Sequence, residues 1–366
     1  MKKSIIYIIL IIMLLNIVSC SKNTNTQKSE EHKFDIKKAE SLIDNYMRSM
    51  ISEDETAMDK LLTDKLLKTT KIIEKSVLKV KGYKIDEYNE VGDTAIFKVK
   101  VSSTSLEKSK SSLDTYTFKI VLENFNYKIS EVKTSLEKEC YYENYGLRIR
   151  NKKDVESQLL IDSDGIPQYG FAREDKSQTS KLELPRTNFQ NIVFGYSGDN
   201  LAISITNKIS FIGIVKIATD SVQTAASQGG PDQNGGTLQQ GGSSQTEKNL
   251  GPREKPIGKE LMTIDVLKNC KIDFMVFSPD EKSLVIQYTN IDNRKCLRVY
   301  DADKGDLISF KFEENYNVNN LDIKYSYFSK DALYYEVVPR DDKKDIEKQV
   351  AGMWQIDLKK FHAKKV

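Results

Sequence analysis

One motif recurs three times in the C-terminal half of the chain and limits its architecture more than any other feature. Tyr196-Ser197-Gly198-Asp199 is followed by the apolar run Leu201-Ala202-Ile203. Phe277-Ser278-Pro279-Asp280 precedes Leu284-Val285-Ile286, and Phe328-Ser329-Lys330-Asp331 precedes Leu333-Tyr334-Tyr335. Each unit reads as an aromatic, Ser, a turn residue, Asp, then a strand. Ser and Asp support a tight turn because their short side chains bond backbone N–H groups close by. A second landmark follows each unit: Leu261-Met262-Thr263-Ile264-Asp265, Leu297-Arg298-Val299-Tyr300-Asp301, and Met353-Trp354-Gln355-Ile356-Asp357.

Phe277 and Phe328 stand about 50 residues apart, a period typical of repeated strand units. The Tyr196–Phe277 interval is longer because residues 221–256 form a Gly/Gln/Ser-rich spacer with almost nothing to bury. The spacer is expected as a disordered insertion inside one unit, since that unit has its Ser-x-Asp turn before it and Ile264-Asp265 after it. A strand-bearing period of this size predicts propeller blades. The rhythm Phe-Ser-Pro-Asp, apolar strand, Val299-Tyr300-Asp301, Gly305 resembles the TolB-like and WD40-like propeller repeats of bacterial proteins. That resemblance implies an all-β, propeller-like domain over residues 138–366. A closed propeller needs at least four blades, and three are legible. Either residues 138–190 supply a degenerate fourth or the array stays open.

Upstream the period changes. Ile36, Ala39, Leu42, Ile43, Tyr46, Met47 and Met50 recur at three- and four-residue steps and predict an amphipathic helix. A second helix is expected after Ser52-Glu53-Asp54-Glu55, with Met58, Leu61, Leu62 and Leu66 inward. Alternation of period two then predicts antiparallel strands around Tyr83–Tyr88, Ala95–Val101, Tyr116–Leu122 and Tyr127–Val132. Helices followed by strands predict an α+β layer over residues 35–137. Its last hairpin, with a polar turn before Tyr127 and Lys128-Ile129-Ser130, resembles the C-terminal end of the NTF2-like (cystatin-like) family. The resemblance implies a curved sheet folded over N-terminal helices. That family spans enzymes and binding domains, so it confers no activity by itself. The His that some members use is absent between Phe34 and Ser135.

The N-terminus speaks to location. Lys2 and Lys3 precede an apolar run from Ile5 to Leu15, too short to cross about 30 Å of hydrocarbon but suited to a secretory signal. Ile17-Val18-Ser19-Cys20 resembles the lipobox of bacterial lipoproteins. By that resemblance residues 1–19 are a signal peptide, cleavage falls between Ser19 and Cys20, and Cys20 carries lipid, with fatty acids such as palmitate. Residues 20–34 then read as the lipidated Cys and a disordered tether. Lys-dominated basic residues and frequent Ile and Asn match an AT-rich, Gram-positive source, with the chain on the extracytoplasmic face of the cell membrane.

Charge and chemistry narrow the function. Lys and Arg total 56 against 53 Asp and Glu, a net charge of +3 that disfavours nucleic acid as a partner. Only His32 and His362 are present, so triads and zinc sites have almost no material, and no cofactor is expected. Asp301, Asp303 and Asp306, around Gly305, could begin a calcium loop, as could Asp162 and Asp164. Neither has the closing Glu, and β-turns demand the same residues. Besides Cys20, Cys140, Cys270 and Cys296 form an odd set, expected as mostly buried thiols, with a Cys270–Cys296 bridge as the alternative. The expected function is a membrane-anchored lipoprotein that binds or senses a protein or cell-wall polymer, with no catalytic residues. The competing expectation is a carboxylate-dependent hydrolase or carbohydrate-active enzyme in the β domain. It requires two carboxylates about 5–10 Å apart in a cleft.

Overall fold

The computed structural model describes residues 34–70, 77–217, 254–340 and 345–366. The expected signal peptide, Ser19 and Cys20, nearly all of the tether, and residues 221–253 of the expected insertion lie outside the described residues. The account below concerns the unit Ile36–Val366.

Helix α1 (Ile36–Ile51) buries Ala39, Leu42, Ile43, Tyr46 and Met47, the central residues of the expected stripe. Its Tyr46 ring meets Phe118 edge-on at 5.5 Å. The helix expected next is two short ones, α2 (Glu55–Asp59) and α3 (Asp64–Thr70). The interruption has a cause in long-range pairing. Thr63 N–H donates to the Ile129 carbonyl and Ile129 N–H to the Leu61 carbonyl, both at 2.9 Å. Backbone pulled into a strand bridge cannot also continue a helix. The Thr63 hydroxyl restarts it by accepting from Leu66 N–H at 3.3 Å.

A six-stranded antiparallel meander follows in the order β1-β2-β3-β4-β5-β6. Its strands are β1 (Lys79–Val91), β2 (Thr94–Thr104), β3 (Lys110–Glu123), β4 (Asn126–Glu143), β5 (Gly146–Asn151) and β6 (Gln158–Asp162). Ala95, Phe97, Val99 and Val101 alternate along β2 with no exposure, as one buried face of a sheet requires. The boundary expected between 137 and 138 falls inside β4, where Lys138 pairs with Leu113 on one side and Asn151 on the other. Residues 138–162 thus complete the first sheet.

After a small hairpin of β7 (Tyr169–Gly170) and β8 (Leu182–Glu183), the repeat region builds three further sheets. The second sheet contains β9 (Phe189–Phe194), β10 (Asn200–Thr206), β11 (Ile209–Ile217) and β12 (Gly258–Lys268). The third contains β13 (Cys270–Phe277), β14 (Ser283–Asn290) and β15 (Lys295–Asp301). A one-turn helix, α4 (Phe312–Asn315), leads to the fourth: β16 (Leu321–Phe328), β17 (Ala332–Pro339), β18 (Gly352–Asp357) and β19 (Ala363–Lys365). The repeat aromatics are all buried: Phe277 and Phe328 end the first strands of their sheets, and Tyr196 lies two residues beyond the end of β9. The second landmark is not equivalent throughout. It lies on the third strand of the later sheets but on the fourth, β12, of the second sheet. Strands β11 and β12, on either side of residues 218–253, pair directly, Lys216 opposite Glu260.

The sheets pack face to face in sequence, one apolar core per neighbouring pair. Leu113, Cys140 and Ile149 of the first sheet share a core with Ile192, Phe194 and Leu201 of the second. Val193, Tyr196 and Ile212 of the second share one with Met275, Phe277 and Leu284 of the third. Val276, Val285 and Leu297 of the third share one with Leu321, Ile323 and Leu333 of the fourth. Hydrogen bonds follow the same order, each sheet donating side-chain groups to the first strand of the next. Ser102 and Thr104 hydroxyls donate to the Phe194 and Ile192 carbonyls at 2.8 Å. Asn191 donates to the Ile272 carbonyl at 2.7 Å, and Gln287 to the Ile323 carbonyl at 3.0 Å. Tyr325 of the fourth sheet then donates to the Lys81 carbonyl of β1 at 3.0 Å. Arg48 of α1 lies 4.2 Å over the Tyr327 ring at the same seam. Beside it, Gly82 admits the Tyr196 hydroxyl where a Cβ would sit only 2.2 Å away. The first sheet therefore fills the place that a fourth blade would take, and the described unit is a β-propeller-like ring closed by an α+β layer.

Candidate functional site

A cleft of about 940 Å³ opens between the segment after β7 and the segment after β15. Arg173, Glu174, Asp175 and Lys176 line one wall, Asp306 and Lys311 the other, and Thr263 and Ile264 of β12 the floor. Both signs of charge are therefore presented to one space.

The walls are held by a network centred on Arg298, which points outward from β15 with little exposure. Its guanidinium reaches Glu313 at 2.8 Å, Glu174 at 2.9 Å and Asp265 at 3.3 Å. Asp265 is 1% exposed and fully satisfied: Arg173 N–H and Val266 N–H donate to one oxygen at 2.7 Å, Tyr300 O–H to the other at 2.6 Å. A buried carboxylate survives in a fold only with such compensation. Burial acts to lower the Arg298 pKa, but its neighbours, the Glu313 carboxylate among them, outweigh it and hold the guanidinium charged. Burial, then the Asp265 charge, pushes the Tyr300 hydroxyl far up, so it stays a donor. Arg173 ties the two walls, donating to the Lys304 carbonyl at 2.6 Å and pairing with Asp306 at 3.0 Å. Asp175 is held below the usual carboxylate range by Ser180 N–H, which with Thr179 N–H fixes the segment's turn.

The calcium candidates serve other ends. Asp301 accepts from Asp303 N–H at 2.9 Å and Lys304 N–H at 2.8 Å, capping the turn after β15. Gly305 sits there at φ +74°, a conformation that favours glycine. Asp303 faces solvent and Asp306 faces Arg173, so the three carboxylates do not converge. Among the described residues no group of three or more His, Cys, Asp or Glu is arranged to hold a metal. Cys140, Cys270 and Cys296 are free thiols, and burial raises Cys270 and Cys296 to about 11. Arg173, Glu174, Arg298 and Glu313 were not singled out by sequence reasoning. One signal was present: in a chain whose cations are mostly Lys, an Arg stands between the apolar Leu297 and Val299 in the middle of a strand.

No protein-family model matches the sequence, and no curated protein does. Among solved structures, TolB from Acinetobacter baumannii is similar at 6% identity and a TM-score of 0.23, over 74% of this chain and 61% of that one. The chain thus spans less than two thirds of that protein. Sqt1 from Chaetomium thermophilum is similar at 10% identity and a TM-score of 0.29, over 80% and 72%. The WD40 domain of Toxoplasma gondii coronin is similar at 9% and 0.24, over 74% and 67%. Likenesses this distant carry no argument. The sheets themselves define the class, a β-propeller-like protein.

Proposed function

We propose that this protein is an extracytoplasmic lipoprotein, anchored to the cell membrane through Cys20, that works by binding a protein at the cell envelope. The α+β layer is read as NTF2-like, supported by its order of helices then a long antiparallel meander. The cleft carries the reading. It is large, bears Lys176 and Lys311 beside Glu174 and Asp306, and is braced by the buried Arg298–Asp265 pair. Paired charges of both signs suit a folded or extended polypeptide, whose side chains and backbone offer both. Glu174, Asp265 and Glu313 each contact Arg298, which favours structural carboxylates over a hydrolytic pair.

A photo-crosslinking residue placed at Lys176 of the full chain, in membranes of expressing cells, tests the cleft. The reading expects a discrete protein adduct from Lys176, weakened by Lys311→Glu, and none from Val155, which is exposed outside the cleft. Identical adducts from both positions, or adducts to wall polymer, contradict it. The anchor has its own test. Cys20→Ala should abolish incorporation of labelled fatty acid; continued processing with membrane retention would refute it.

A further inference from the structure

The edge of β1 that closes the ring does not end there. Lys81 and Gly82 lie within the ring, where the Lys81 carbonyl accepts from Tyr325 and Gly82 meets the Tyr196 hydroxyl. Beyond a register shift between Ile85 and Glu87 the strand runs on to Val91, and every residue from Asp86 to Val91 is exposed. β1 is the outermost strand of its sheet, so along 87–91, past the bulge at Asp86, its backbone pairs with β2 alone among the described residues. A row of outward N–H and C=O groups is left at the rim of the ring.

The side chains along this edge are acidic and apolar together. Asp86, Glu87 and Glu90 stand within six residues, and Lys98 on the neighbouring strand is engaged by Glu87 at 2.9 Å. Tyr88 is 58% exposed and Val91 61% exposed. Tyr88 sits opposite Phe97 on one face of the sheet, Glu87 opposite Lys98 on the other. An added strand would thus meet an aromatic anchor between carboxylates. From this edge we infer a β-augmentation site for an extended, basic segment of another protein, lysine or arginine alternating with apolar residues. A second copy of this chain is disfavoured, because pairing the edge with itself sets carboxylate against carboxylate. The site is distinct from the cleft and stands whether or not the cleft binds.

Hydrogen exchange of the full chain with two synthetic probes decides the matter: a peptide of alternating lysine and valine, and one of alternating glutamate and valine. The inference expects saturable slowing of exchange at the amides of residues 86–91 with the lysine peptide alone. Glu90→Lys should weaken that binding by about three- to tenfold, the loss of one cross-strand charge pair and the gain of a repulsion. Glu90 is exposed on the strand, so the variant should fold normally, checked by unchanged exchange in β2 and β3. Equal protection by the glutamate peptide, protection elsewhere, none at saturation, or indifference to Glu90→Lys would each overturn the assignment.

Discussion

A guanidinium with three carboxylate partners can brace a cleft in a way that a lysine cannot, because its planar fork reaches several acceptors at fixed angles. Arg298 does this, and removing it strands a buried charge on Asp265. Arg298→Met is therefore expected to cost about 3–5 kcal/mol, read as a lower urea midpoint with an unchanged slope. Asp44 gives the opposite sign. Burial raises its pKa despite the Tyr83 hydroxyl at 3.0 Å and Arg48 nearby. A carboxyl raised by folding costs stability once pH climbs above the unfolded value, where the unfolded chain ionises more readily. Asp44→Asn should thus raise Tm at neutral pH, and the gain should vanish as pH falls below the ordinary Asp range. Thermal melts of both proteins across that range check it. Neither residue was marked in the sequence, since what matters about each is a partner far away in the chain. The clue that was there is arginine itself: Arg148, Arg173, Arg298 and Arg340 each reach two or more groups.

Each element shows how far local pattern reaches. Helix α1 was legible because its apolar spacing and its buried face are the same fact. The helix expected after it broke where Ile129 recruits residues 61–63, a contact that no window of sequence contains. Strand β4 continued through the anticipated boundary because β5 waits to pair with it. In the same way the repeat aromatics fell where their spacing placed them, while Leu261–Asp265 took the fourth strand because β11 had already filled the third. The joints between sheets depend on polar side chains that carry no periodic signal. Ser102 and Thr104, two apart on β2, present both hydroxyls to the open edge of β9. Replacing either leaves a buried carbonyl unpaired, so Ser102→Ala and Thr104→Val should each cost about 1–3 kcal/mol. Denaturant unfolding of the single variants measures it, and the double variant should show a larger loss.

At the scale of the whole molecule the account turns on closure. Three blade-like sheets are one short of a closed propeller, and here the missing place is taken by a sheet of another kind, wrapped over α1. The seam is modest: Tyr325 on the Lys81 carbonyl and Arg48 over Tyr327, with Lys81 also 4.8 Å over the Phe274 ring of the third sheet. If these contacts join the sheets into one ring, the α+β layer and the repeat sheets must unfold together. Scanning calorimetry of the full chain, with and without Tyr325→Phe, tests this directly. The account predicts a single transition whose calorimetric and van't Hoff enthalpies agree, shifted downward as a whole by Tyr325→Phe, which removes about 1 kcal/mol. Two separate transitions, with Tyr325→Phe moving one and leaving the other in place, would contradict it.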